Sequence, residues 1–311
     1  MTTACAYYES LLPSDILSCI AGHLPCGDIH AFALVCREWA SVALADRDRA
    51  VHTDIAQRLV NGQRVDNRSC VACPNICIPL HIQTLNSRAF FCCLNLTSIT
   101  LPADIMQIGY ATFFGCSALS SFTIPAAVVY IEDDLFGHCS ALSAVMMPDA
   151  IVEIGSSAFG SCIALTSIKL SPSLLRIGDS AFSYCRALTS ITLPDAMPLA
   201  AIGSRVFAHC VSLTCICLPA SITHIGTCAF ESCISLRSIT LPPSVRSIDN
   251  GAFLRCTVLS CISLPNSITY LGDHAFESCI ALTLVHLPSP LPYIGRHAFQ
   301  FCSALKSTRH T

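Results

Sequence analysis

Ten cysteines, Cys93, Cys116, Cys139, Cys162, Cys185, Cys210, Cys233, Cys256, Cys279 and Cys302, recur at intervals of 23 residues with a single gap of 25. One residue type at one fixed spacing over most of a chain means a short unit copied end to end. A unit of this length cannot bury its own apolar face, so it builds a solenoid in which each copy packs on its neighbours.

Aligned on the cysteines, the unit reads L-x-x-I-x-L-P-x-x-I-x-x-I-G-x-x-A-F-x-x-C-x-x, as in LTSIKLSPSLLRIGDSAFSYCRA from Leu165 to Ala187. The leading leucine stands at 96, 119, 142, 165, 188, 213, 236, 259, 282 and 305, and the phenylalanine at 90, 113, 136, 159, 182, 207, 230, 253, 276 and 299. A worn copy near Cys73 keeps Pro79, Ile82, Leu85, Ala89 and Phe90, and the two-residue insertion lies within Pro194–Ile202. The alternation in Thr97-Ser98-Ile99-Thr100-Leu101 predicts a half-buried strand that Pro102 ends, because proline cannot extend a ladder. Gly109, Gly155, Gly178, Gly203, Gly226, Gly272 and Gly295 share one slot, expected to be a turn with positive φ. Asn86, Asp249 and Glu132 stand there in the other coils. The D-S-A-F or S-S-A-F that follows predicts one helical turn capped by Ser or Asp. Coils at the strand spacing would pile matched Leu, Ile, Phe and Cys into parallel columns about 48 Å long.

These residues resemble the BspA-type leucine-rich repeat over about three quarters of the chain. The resemblance implies a β-lined solenoid used for protein recognition, and it implies no reaction.

Residues 1–60 break the repeat. Leu11 to Asp48 carries a helical pattern interrupted at Pro25 and Gly27. Ser14 or Asp15 can open a helix with Ile16, Leu17 and Ile20 on one stripe, and Asp28 can cap the next. Three short helices of this length bury too little to stand alone. The expected architecture is therefore α+β: a three-helix head over 1–60, a linker over 61–72, and a solenoid of about ten 23-residue coils over 73–311. Leu12-Pro13, Ile16-Leu17, Ile20, Leu24, Asp28-Ile29 and Val35-Cys36-Arg37-Glu38-Trp39 resemble an F-box, with Val51-His52 where its second tryptophan would fall. F-boxes dock on the Skp-type adaptor of a cullin–RING ubiquitin ligase, and the resemblance would assign that docking to Leu12, Pro13, Ile16, Leu17 and Ile20. The other reading makes the head an ordinary cap on the array.

The net charge is −3 with only 12% charged residues, and no basic patch is present to engage phosphates, so nucleic acid is not an expected partner. Mean hydropathy is +0.60, yet the apolar residues are periodic and no run of 18 occurs, so no membrane segment is expected. Glu9 and Asp15 stand where a signal peptide would need a basic start. In-register cysteines point the same way nearly 5 Å apart, too far for a disulfide's paired Cβ atoms, so the column reads as buried thiols in a reducing cytoplasm or nucleus.

Chemistry-bearing patterns are few. Cys70, Cys73, Cys77 and His81 have zinc-ligand types at tight spacing, but the repeat register would point Cys73 and Cys77 apart. Cys215, Cys217 and Cys261 fall at outward strand positions, either as a soft-metal or redox spot or as serine-to-cysteine exchanges. His138 and His209 share one slot beside ladder cysteines, and His274 and His297 share another; repetition explains them without a catalytic base. No phosphate or dinucleotide loop exists, since the glycines occur singly. No cofactor or metal is expected, and no enzyme.

Two recognition faces compete. The outward strand residues, Ser98/Thr100 through Leu284/His286, form a neutral hydroxyl ribbon whose one formal charge is Lys169. Beyond the proline the side chains vary more. That edge carries Tyr130, Glu153, Arg176, His224, Arg246, Tyr270 and Tyr293, and diversity within a monotonous repeat is what partner choice needs. The expected function is a substrate-recognition subunit of a cullin–RING ligase with an unidentified protein target; the alternative is a plain leucine-rich-repeat scaffold.

Overall fold

The computed structural model describes residues 54–65, 74–289 and 293–310. Most of the expected three-helix head, including Leu12, Pro13, Ile16, Leu17 and Ile20, lies outside these residues. Within them one helix, α1, spans 54–60.

Each coil contributes two strands, and each strand pairs in parallel with its equivalent one coil along. The longer set comprises β1 (Asn75–Cys77), β3 (Ser98–Thr100), β5 (Ser121–Thr123), β7 (Ala144–Met146), β9 (Ser167–Lys169), β11 (Ser190–Thr192), β13 (Cys215–Cys217), β15 (Ser238–Thr240), β17 (Cys261–Ser263), β19 (Leu284–Leu287) and β21 (Ser307–His310). Wherever these strands pair the register is a one-coil offset, as in Ser167↔Ser190, Ile168↔Ile191 and Lys169↔Thr192, and the set divides into five short sheets. Alternation dictates the faces, with Ile168 and Ile191 buried and the flanking polar residues exposed. The sequence pattern anticipated this set.

The second set was not anticipated. It comprises β2 (Thr84–Leu85), β4 (Gln107–Ile108), β6 (Tyr130–Ile131), β8 (Glu153–Ile154), β10 (Arg176–Ile177), β12 (Ala201–Ile202), β14 (His224–Ile225), β16 (Ser247–Ile248), β18 (Tyr270–Leu271) and β20 (Tyr293–Ile294). Each buries its second residue and turns its first outward, except that both residues of β20 are exposed. β12 to β20 form one five-stranded sheet, which stops at the two-residue insertion between β10 and β12.

The slot glycines do not serve positive φ. A Cβ on Gly178 would sit 2.5 Å from the amide nitrogen of Ser156 and 2.6 Å from the carbonyl carbon of Gly155, and Gly109, Gly155, Gly272 and Gly295 meet the previous coil as closely. At these five positions glycine permits the close approach of two backbones. Asn86, Asp249 and Glu132 likewise have ordinary φ.

Positive φ occurs instead on non-glycine residues in the stretch expected to be helical. Two positions per coil, two residues before and two after each phenylalanine, are left-handed: Ser180 (φ 59°) and Tyr184 (φ 59°) around Phe182, Ser157 and Ser161 around Phe159. Their amides, and that of the phenylalanine between them, bond to the next coil: Ser180 N–H to Ser204 O, Phe182 N–H to Val206 O and Tyr184 N–H to Ala208 O. The alternate amides close four-residue turns, such as Ser183 N–H to Ser180 O and Cys185 N–H to Phe182 O. The D-S-A-F segment is therefore a pair of tight turns that ladders coil to coil. A helix would have spent those amides within its own coil.

The columns run through the middle. Ten rings from Phe90 to Phe299 stack at centroid distances of 5.1–5.7 Å, and Phe90 to Phe276 are fully buried. The thiols have a specific role. Cys185 donates its S–H to Phe159 O at 3.1 Å and Cys256 to Phe230 O at 3.1 Å; every column cysteine from Cys116 to Cys302 repeats this bond to the phenylalanine carbonyl of the coil before. The slot thus asks for a small side chain with one donor. Thr112, the one threonine in the alanine slot, is buried and satisfied by Gly109 O and Asn86 O.

The ends differ. Ile55 and Leu59 of α1 and Val65 are buried with the first coil. Val65 N–H bonds Ala89 O, and Val65 O accepts the Cys93 thiol, so Val65 holds the place of a phenylalanine before Phe90. Within the expected linker, Val65 thus packs on the array, while residues 61–64 are exposed. At the other end Phe299, Cys302 and Leu305 are only partly buried and Phe301 is 64% exposed. β21 nevertheless continues the ladder on β19 despite its polar sequence.

Candidate interaction surfaces

Along the short-strand ladder the outward side chains line up because each first residue faces solvent while its neighbour fills the core. Tyr130 is 53% exposed and lies beside Glu153, which in turn lies beside Arg176. Arg176 Nη1 donates to Glu153 Oε1 at 2.7 Å in an exposed ion pair. Such a pair adds little stability and mainly fixes the orientation of both groups. Further along, His224 Nδ1 lies 2.6 Å from the Thr223 hydroxyl, and exposed Arg246 precedes β16. Tyr270 and Tyr293 stack in parallel at 5.4 Å, both exposed. Met106 and Leu175, one residue ahead of β4 and β10, are exposed as well. This edge therefore brings Tyr130, Glu153 and Arg176 together, and separately His224, Arg246, Tyr270 and Tyr293.

Lys169 and His286 sit on the other ladder. Lys169 is outward on β9 and His286 outward on β19, five coils apart, or about 24 Å at the strand spacing. Neither joins the tyrosine edge or the other. The hydroxyl ribbon is as exposed as expected, but its satisfaction is different. Most hydroxyls that bridge coils on this face belong to the residue before a strand, as in Thr189 to Thr166 O and Thr283 to Ser260 O, while Ser98 within β3 donates to Asn75 Oδ1.

Sequence reasoning missed a third surface, on the turns. Glycines at 137 and 160 occupy slots that hold Phe114 or Glu231 in other coils, and serines at 157, 161, 180 and 183 surround them. The result is a cleft of about 280 Å³ between His138, which leans on Phe114, and Tyr184, which stacks on His209 at 4.3 Å. Asp134 stands at its rim. Partial burial and then the neighbouring Asp133 push its carboxyl above the usual range, opposed by His138 and Arg88. Two coils of unusually small side chains were the available signal. At the array's start Arg88 lies over the rings of both Phe91 and Tyr110, and Arg64 over Phe91.

The buried thiols do not offer nucleophiles. Burial pushes Cys139, Cys185 and Cys256 up to about 12 and raises Cys162, Cys210, Cys233 and Cys279 well above the ordinary thiol value, so all are neutral donors. Cys228 is raised by burial, then by the charge and hydrogen bond of Glu231, against Arg205. Among the described residues no three His, Cys, Asp or Glu side chains converge on a metal position. Cys70 and Cys73 lie outside them.

A family model described as BspA type leucine rich repeat region matches residues 68–189 and 200–310, leaving out the segment that holds the insertion. An F-box-like model matches residues 10–48. No curated protein matches this chain. Among solved structures, a leucine-rich repeat protein from Bacteroides ovatus is 29% identical, with a TM-score of 0.71 over 76% of this chain. The match spans 63% of that protein's length. The pneumococcal vaccine antigen PcpA (18% identity, TM-score 0.51, 76% of this chain and 68% of that one) shares the fold. So does a leucine-rich repeat protein from Eubacterium ventriosum (18%, 0.50, 68% and 84%).

Proposed function

We propose, for a chain that belongs to the BspA-type leucine-rich-repeat family and carries an F-box-like segment ahead of its repeats, that it is a non-catalytic recognition subunit: the segment at 10–48 docks on the Skp-type adaptor of a cullin–RING ligase while the solenoid holds a protein target. The target is held along the short-strand edge. The observation that carries this is the row of exposed large side chains there, Met106, Tyr130, Leu175, Tyr270 and Tyr293, which includes three of the exposed tyrosines, whereas the outward positions of the long strands are mostly Ser, Thr, Ala and Cys, with Met146 the large apolar exception. Tyrosines on a rigid ladder lose little entropy on binding and supply area and a hydroxyl together. Adaptor docking falls to Leu12, Pro13, Ile16, Leu17 and Ile20. Residues 54–65 already cover the array's first coil, so the F-box-like segment is not needed for that task.

The second reading is a binding scaffold without a ligase, and it is favoured by the bacterial leucine-rich repeat proteins among the structural neighbours. A pull-down with purified Skp-type adaptor separates the two. Capture of the wild-type chain, lost on Leu12→Ala/Pro13→Ala, supports docking; no capture of the wild type leaves the scaffold. Separately, Tyr130→Ser/Tyr270→Ser/Tyr293→Ser should lose proteins that the wild type retains, and unchanged retention would remove that edge.

A further inference from the structure

Thiols interrupt the hydroxyl ribbon of the long-strand face at β13. Cys215 and Cys217 leave that strand on the same side, both exposed, while Ile216 between them is anchored in the core. The register sets Cys215 beside Ser238 and Cys217 beside Thr240. Unlike the column cysteines, neither gives its proton to a carbonyl of the coil before; Cys215 Sγ instead accepts from the Thr214 hydroxyl at 3.9 Å. Cys261 is outward on β17, two coils from Cys215 and therefore about 10 Å away.

Two side chains at i and i+2 on a strand have Cα atoms about 6.6 Å apart and face the same solvent. Rotation about χ1 leans both sulfurs over Ile216 and onto one ion. The backbone beneath is already fixed by the ladder, so little ordering remains to be done on binding. The adjoining outward residues, Ser190, Thr192, Ser238 and Thr240, are neutral and offer neither a carboxylate for a hard cation nor an imidazole for zinc. Two thiolates without a third ligand select a soft ion content with two-coordination.

We propose that Cys215 and Cys217 form a two-thiolate site for Cu(I). Binding replaces two S–H bonds by two S–Cu bonds, releases two protons to solvent and leaves the copper as Cu(I), so no oxidant is involved. Cys261 is beyond reach of the same ion and stays outside the site. The assignment is independent of the adaptor-docking reading, since it concerns a different face.

The test uses the reduced full chain under anaerobic conditions. Cu(I) is delivered as its bicinchoninate complex, a short iodoacetamide pulse follows, and each cysteine is read by peptide mass spectrometry. Cys215 and Cys217 should become protected together, with Cys261 alkylated as before. Cys217→Ser should restore alkylation of Cys215, whereas Cys261→Ser should leave the protection intact. Absence of protection in the wild type, protection of Cys215 persisting in Cys217→Ser, or protection that depends on Cys261 would each overturn the site. Silence of Cys139 to iodoacetamide in every variant verifies that the fold is unchanged.

Discussion

Raising the pH should unfold this chain abruptly between about pH 9 and 10, and the reason is the thiol column. Of the nine cysteines fully buried among the described residues, burial raises seven, Cys139, Cys162, Cys185, Cys210, Cys233, Cys256 and Cys279, above the ordinary thiol value of 9.0, Cys139, Cys185 and Cys256 to about 12. In the unfolded chain each ionises near 9, while in the folded chain each keeps its proton as donor to a phenylalanine carbonyl. Above pH 9 the native state therefore binds more protons than the unfolded one, and stability falls as pH rises; below about pH 8 the column contributes no slope. Between pH 9 and 10, where the unfolded thiol goes from half to mostly ionised, each costs about 1 kcal/mol, and the slope steepens towards about 1.4 kcal/mol per thiol per unit above that. Seven thus cost about 7 kcal/mol between pH 9 and 10. That is as large as the whole stability of a typical domain. Urea unfolding followed by circular dichroism at pH 7, 8, 9 and 10, under a phosphine reductant, measures the slope directly. A stability unchanged up to pH 10 would mean that the thiols ionise in place or are not buried donors, and the column argument would fail.

Phe182→Ala should cost about 3–5 kcal/mol, because its ring is sealed between Phe159 and Phe207, whereas Phe299→Ala at the partly open end should cost about half as much; equal midpoint shifts in urea would contradict the register. Gly178→Ala should destabilise by about 1–3 kcal/mol through the clash with Ser156, while Ser180→Gly, two residues on at φ 59°, should be neutral or slightly stabilising; thermal melts that reverse this order would refute the close-approach account of the glycines.

The columns were legible because period is a property of sequence: Leu165, Phe182 and Cys185 recur by counting alone, and the strand at Ser167–Lys169 follows from its alternation. What each residue does in its slot was less legible. Glycine at 178 has two physical uses, positive φ and closeness, and the sequence alone cannot choose; the backbone of Ser156 settles it. The pair Arg176–Ile177 is too short for any periodicity to mark as a strand. Ser180 and Tyr184 hold left-handed backbones without being glycine, because bonds to Ser204 and Ala208 in the next coil over-determine them. Those bonds join residues about two dozen positions apart, which a local helical reading of D-S-A-F cannot weigh. Of the proposed surfaces, the variety of side chains beyond the proline was readable, but the stacking of Tyr270 on Tyr293 and the pairing of Glu153 with Arg176 depended on a ladder the sequence did not announce. The cleft beside His138 arises where side chains are missing, and absent side chains carry no period.

The account rests on coils that stack in register with their sulfurs inside. Brief alkylation of the native, reduced chain, read cysteine by cysteine, tests this most directly. Cys215, Cys217 and Cys261 should label within the pulse, and Cys139, Cys162, Cys185, Cys210, Cys233, Cys256 and Cys279 should label only after denaturation. Prompt labelling of those seven in the native chain, or their recovery as disulfides, would contradict it.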